Sequence, residues 1–204
     1  MRLPRTAHTS RPWRIHQLAP DFRVEDVWRM PTPGGPDDLV HLVDQMANGS
    51  DAHHSGTLSR LLFAIRWRLG RLLGWDKADA GVGTRVPTLR DRLPADLRNE
   101  PPGPDVKGVP VPFTSVYRTH DEWAAEMANL TVHAVMHIGW VADPKAPGGY
   151  RGQMAVLVKP NGFAGSLYMA AIKPFRYLGV YQQLLLAIGR EWRADAPGRS
   201  TAHR

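Results

Sequence analysis

The chain has 204 residues, 43% of them hydrophobic, which suits one domain around a sizeable core better than two small ones. It contains no cysteine, so disulfides, thiolate metal sites and a cysteine nucleophile are excluded. The net charge of +7 raises attraction to nucleic acid or anionic lipid, but part of the excess sits at Arg2, Arg5, Arg11, Arg14, Arg199 and Arg204, and no strand-like segment carries a basic-aromatic repeat, so nucleic acid is not the expected partner.

No apolar run approaches the ~20 residues of a membrane-spanning helix, and MRLPRTAHTSRPWR is basic but lacks the apolar stretch of a signal peptide. A cytoplasmic protein is expected. Residues 1–12 read as a basic N-terminal tail, 13–193 as one domain with a loop-rich insertion or lid over 76–112, and 194–204 as a disordered tail.

A first strand is expected within WRIHQLAPDFRVEDVWRM, broken by PTPGGP. Asp37 then caps a helix in which Leu39, Leu42, Val43 and Met46 recur at helical spacing before Asn48-Gly49 ends it. A second helix follows in TLSRLLFAIRWRLGRLLGW, with Leu58, Leu61, Leu62, Ile65, Leu69, Leu72 and Leu73 on one side and arginines around the rest. In the lid, GVGTRV lacks the third glycine of a dinucleotide fingerprint and follows no clear strand, and no cofactor is expected. TLRDRLPADL suits one short helical turn that packs Leu89, Leu93 and Leu97 and turns Arg90 and Arg92 outward.

After Pro112 the pattern changes to strands. FTSVYRT, EWAAEMAN, LTVHAVMHIGWV, YRGQMAVLVK and GSLYMAAIK are separated by turn-like segments, and consecutive strands with short connections imply an antiparallel sheet. KPFRYLGVYQQLLLAIGREW then becomes helical, with Pro174 suited to the first turn and Phe175, Leu178, Tyr181, Leu184, Leu185, Ile188 and Trp192 in one stripe that must lie on the sheet.

His133 and His137 stand four residues apart. On a strand they share a face at a separation of about 13 Å, too far for one metal ion, and no metal is expected. Leu130, Val132, Ala134, Met136, Ile138 and Trp140 form the more apolar face, so the histidines, beside Thr131 and Val135, face water or a mixed-polarity cavity. They read either as solvated or structurally bonded side chains or as a base.

The order of one strand, two helices, an antiparallel sheet and a long last helix resembles the START-like, or Bet v 1-like, helix-grip fold of the SRPBCC superfamily, with five strands after the helices where that pattern has six. RVPTLRDRLPADL, NLTVHAVMHIGW, YRGQMAVLVKPNG and YMAAIKPFR also resemble a bacterial family known as domain of unknown function 2867, over Trp13 to Arg193. Its members occur alone or fused behind a NAD(P)-binding domain, which the resemblance makes a possible partner. The α+β helix-grip likeness implies a curved sheet wrapping the last helix, with a cavity between them for a small apolar or aromatic molecule.

The polar groups expected to line it are Tyr117, Arg118, Glu126, Tyr150, Tyr168 and Lys173, with His133 and His137 as bases if the chain is a cyclase- or dehydratase-like enzyme. Glu126 alternatively pairs with Arg118 across a hairpin, and Lys173 is either a desolvated amine nucleophile or a snorkelling lysine. A small-molecule binding module is the leading expectation, an enzyme with the same cavity the second, and a basic surface for nucleic acid or anionic membrane the third.

Overall fold

The computed structural model describes residues 1–48, 82–83, 86–106, 112–162 and 181–195. Its elements begin with β1 (Arg2–Leu3), α1 (Thr6–Thr9), α2 (Ile15–Leu18), β2 (Arg23–Gly34) and α3 (Leu39–Asn48). A 3-10 turn (Leu89–Arg92) and α4 (Ala95–Arg98) lead to β3 (Thr114–Arg118), β4 (Glu122–Ala128), β5 (Val132–Ala142) and β6 (Tyr150–Pro160), and α5 (Tyr181–Ala194) is the last helix. The strands form one antiparallel sheet in the order β1-β2-β6-β5-β4-β3. The architecture is α+β. The helix expected over 57–75, the strand expected in GSLYMAAIK, Tyr168, Lys173, Pro174, and the tail from 196 onward lie outside the described residues.

Both faces of the sheet are covered. On one, Leu39, Leu42, Val43 and Met46 of α3 are buried, as their spacing predicts, and Leu185, Ile188 and Trp192 of α5 join them against Trp28, Trp123, Ile138, Trp140 and Met154. The indole N–H of Trp192 donates to the Pro33 carbonyl at 2.7 Å, and Gln45 donates to the Ile188 carbonyl at 3.0 Å, which ties α5 to β2 and α3. On the opposite face Trp13, Ile15, Leu18, Ala19 and Phe22 pack with Leu89, Leu93 and Leu97 against Val135, Ala155 and Leu157. No helix among the described residues is long and apolar enough to cross a membrane.

Three expectations are corrected here. The first twelve residues are not a free tail: Arg2 and Leu3 pair with Trp28 and Val27, and His8 in α1 is buried. The prolines of PTPGGP do not break β2, which runs on through Gly34. The register moves from Arg29 opposite Gln153 to Pro33 opposite Arg151, so β2 spends four residues where β6 spends two, and the irregularity takes Pro31, which has no N–H to pair, out of the ladder. Finally, the histidine face of β5 meets neither water nor the last helix. It lies under the N-terminal segment and the 3-10 turn, because Trp13, Ile15, Leu18, Leu89, Leu93 and Leu97 supply the apolar cover that its own mixed alternation lacks.

Candidate functional site

β5 presents His133, Val135, His137 and Gly139 on one face, and the register sets Ala128, Glu126, Ala124 and Glu122 of β4 directly opposite them. Each glutamate therefore stands diagonal to a histidine. Four-residue spacing on both strands brings two such pairs into register, since diagonal neighbours in an antiparallel ladder are within reach of long side chains. His137 Nε2 lies 2.8 Å from Glu122 Oε2, and His133 Nε2 lies 2.7 Å from Glu126 Oε2. All four side chains are buried, with His137 and Glu126 at 0% exposure.

The two pairs end differently. Glu126 also accepts the backbone N–H of Leu89 at 3.0 and 3.1 Å to its two oxygens and the Thr88 hydroxyl, while Phe22 stands edge-on to His133 at 4.9 Å. Thr88 in turn caps the 3-10 turn by accepting from Arg90 N–H. This pair clamps the 3-10 turn to the sheet. The expected partnership of Glu126 with Arg118 does not form: Arg118 pairs in register with Trp123 and its guanidinium lies 4.0 Å from Asp44.

Glu122 is the centre of a longer chain. Its Oε2 accepts the Tyr117 hydroxyl at 2.8 Å as well as His137, and its Oε1 accepts the Arg14 backbone N–H at 2.8 Å. On the far side of the imidazole, His137 Nδ1 lies 3.1 Å from His8 Nε2. Burial opposes the charge on Glu122, but the hydrogen bond and charge of His137, the Arg14 amide and Tyr117 outweigh it and hold the carboxyl below its usual value. Burial, reinforced by the Glu122 charge and hydrogen bond, pushes the Tyr117 hydroxyl well above its ordinary range, so it stays a donor.

Trp13 lies over the same chain. A Cβ at Gly139 would stand 2.6 Å from Trp13 Cζ2 and 2.9 Å from Cη2, so the missing side chain is what lets the indole rest on the sheet, its ring 5.4 Å from that of His137.

Of the residues expected to line one pocket, Tyr117, Glu126, His133 and His137 share this face. Arg118 and Tyr150 belong to the α3 and α5 face: Arg118 meets Asp44, and Tyr150 packs with Trp140 and Met154. Glu122, His8 and Trp13 complete the constellation and were not among the expected residues. Among the described residues no three His, Asp or Glu side chains are grouped as metal ligands.

The family described as "Protein of unknown function (DUF2867)" matches residues 18–183. The chain belongs to the DUF2867 family. No curated protein and no solved structure matches it. In this DUF2867 chain Tyr117, Glu122, His137 and Gly139 fall inside the matched span, and His8, Trp13 and Arg14 precede it.

The buried end of the chain makes folding acid-sensitive. Burial brings the His8 imidazole from 6.5 down to about 2, and His137, His16 and Arg11 push the same way. Between those values the unfolded chain binds a proton that the folded chain refuses. Stability is thus intact above pH 6.5 and is lost as the pH falls, by at most about 1.4 kcal/mol per pH unit. His8→Gln should lose about 2 kcal/mol less than the wild type between pH 6.5 and pH 5 in urea titrations. Parallel slopes for the two proteins would refute the assignment.

Proposed function

We propose that this chain is a binding module for a small apolar or aromatic molecule, with the ligand's polar group anchored on the histidine face of the sheet, opposite the last helix and not in the cavity beneath it that a helix-grip likeness implies. One observation carries the reading: a satisfied polar chain, Tyr117–Glu122–His137–His8, runs through an apolar layer and ends in a His8 Nδ1 that is buried with no hydrogen-bond partner. Placing ionisable groups in an apolar interior costs several kcal/mol per charge, so such chains concentrate where recognition or chemistry needs them. A mostly apolar surround with a few convergent polar groups is the general form of a small-molecule site.

Two observations favour binding over the other roles. His137 has both ring nitrogens engaged, one by Glu122 and one by His8, which leaves it no lone pair for a substrate proton. Among the described residues, many of the basic side chains are met by carboxylates: Arg2 by Asp26, Arg5 by Glu25, Arg14 by Asp96, Arg29 and Arg151 by Asp143, and Arg92 and Lys159 by Asp21. That arrangement is unlike an open cationic face for phosphates.

Native mass spectrometry of freshly purified protein, compared with the denatured mass, tests the proposal. The expected result is an adduct of a few hundred daltons or less that is lost on denaturation and reduced in His8→Leu. A bare mass, together with no thermal shift from a panel of small aromatic compounds, would overturn it.

A further inference from the structure

Among the described residues His8, His133 and His137 are the buried histidines, and they differ in what faces them. His133 and His137 each stand beside a glutamate, so either ring can hold a proton as an ion pair. His8 touches no carboxylate among the described residues. It meets the His137 ring, with Nε2 3.1 Å from Nδ1, the His16 ring edge-on at 4.8 Å between centroids, and the Trp13 ring at 6.4 Å. Arg11, from the loop after α1, opposes a charge on His8 as His137 and His16 do, and Glu122 of β4 lies on the far side of His137. β2, which α1 also packs against, brings Arg29, already held by Asp143 at 2.7 Å, and β6 brings the uncharged Gln153, which donates to the Ala7 carbonyl.

The 3.1 Å contact limits how many protons the two rings can hold. It needs one N–H and one lone pair between the facing nitrogens, so the pair has room for a single positive charge, whichever ring carries it. One proton more would set N–H against N–H inside an apolar layer. Burial and the neighbouring positive groups hold His8 neutral while it is docked, and in water the same imidazole takes its proton at an ordinary pH.

The segment that carries His8 is fastened at its ends. β1 pairs with Trp28 and Val27 on one side and β2 begins at Arg23 on the other, and among the described residues no backbone-to-backbone hydrogen bond joins 4–22 to the sheet. Between those ends its polar ties run through side chains: His137 to His8, Gln153 to the Ala7 carbonyl, Glu122 to the Arg14 N–H and Arg92 to the Leu18 carbonyl. On the α3 and α5 face no described histidine is buried. We infer that residues 4–22 are an acid-released strap: a second positive charge on the His8–His137 pair lifts the segment and uncovers the histidine face, while the α3 and α5 face stays packed. The strap needs no ligand, so it stands or falls apart from the binding role.

Because the chain has no cysteine, single thiols can report on each face. Ala19→Cys places one on the buried side of the strap and Ala187→Cys one on α5, at sites 2% and 3% exposed. Labelling of the full chain with 4,4′-dithiodipyridine, which reacts with thiols in acid, is measured at pH 7 and pH 5 relative to the unfolded protein. The Ala19→Cys thiol is expected to open about twentyfold more at pH 5, the factor by which one proton held only in the released state shifts the equilibrium over that range. The Ala187→Cys thiol should not change. His8→Gln, which keeps a donor and an acceptor but takes no proton, should remove the increase at Ala19→Cys. Equal change at both thiols would show the whole domain loosening, no change at either would show a segment indifferent to acid, and an increase that persists in His8→Gln would put the trigger elsewhere; each overturns the strap. If a variant does not fold, amide hydrogen exchange of the unaltered chain, corrected for intrinsic rate, decides. Protection lost over 4–22 between pH 7 and pH 5, with β5 and β6 unaffected, supports the strap, and loss shared by both or seen in neither overturns it.

Discussion

Replacing Glu122 with alanine is expected to remove about 3–5 kcal/mol of folding stability, a large share of the about 5–15 kcal/mol that a domain possesses. The carboxylate is the shared acceptor for Tyr117 Oη–H, the Arg14 backbone N–H and His137, and its loss strands buried donors from three separate elements at once. Glu122→Gln keeps the volume and one carbonyl oxygen but loses the charge, and a loss of about 1.5–3 kcal/mol is expected. The pH dependence separates the two ways of reading this. A carboxyl held below its ordinary value contributes stability that is present above pH 4.5 and is lost as the pH falls through its folded value. Glu122→Gln should lack that part of the acid limb, while a variant that merely packs less well should keep it. Guanidinium unfolding of the three proteins at pH 7 and pH 4 measures both, and an alanine variant within 1 kcal/mol of the wild type, a bound set by the median surface ion pair, would show that the chain is not energetically coupled.

The second large effect is steric. Gly139→Val should cost at least about 1–3 kcal/mol, because its Cβ alone meets Trp13 Cζ2 at 2.6 Å, and a rigid indole wedged between the sheet and its cover has little room to turn. The damage should be local and specific. With Trp13→Ala in the background, the valine has space, so the double variant should be more stable than the sum of the two single losses by about 0.5–3 kcal/mol. Strict additivity in that cycle would mean that Trp13 does not occupy the place over Gly139. Gly152 plays a similar part on the other face, where a Cβ would stand 2.9 Å from Thr32 Oγ1 and 3.0 Å from both Leu42 Cδ2 and Met30 Sδ.

The strands and α3 were legible because one-dimensional patterns determine them. Leu39, Leu42, Val43 and Met46 sit at helical spacing and all four are buried, and the alternations after Pro112 become β3 to β6 within a few residues of their expected limits. The short leucine turn was legible too: Leu89, Leu93 and Leu97 are buried as their spacing implies, though over two turns rather than one.

What the residues could not reveal was which layer covers which face. His133 and His137 look half-polar along β5 because their apolar cover is contributed by Trp13, Ile15 and Leu18 from the far end of the chain. Glu122 carried a signal that went unused: Glu122 and Glu126 repeat the four-residue spacing of His133 and His137, and a matched pair of such spacings on neighbouring strands marks two ion pairs once the register is known. His8 carried no comparable signal. A lone histidine in a basic N-terminal stretch acquires meaning only when a strand 129 residues away arrives beside it.

That separation bears on how the protein is made. The segment holding His8, Trp13 and Arg14 leaves the ribosome before the strands it covers, and its partners His137, Gly139 and Glu122 are synthesised more than a hundred residues later. Until β4 and β5 have emerged, the Trp13 indole and the side chains of Ile15 and Leu18 have no native surface to cover, and closing so long a loop is the slow kind of step in folding. The cover is thus made well before the surface that it covers and must be among the last parts to dock.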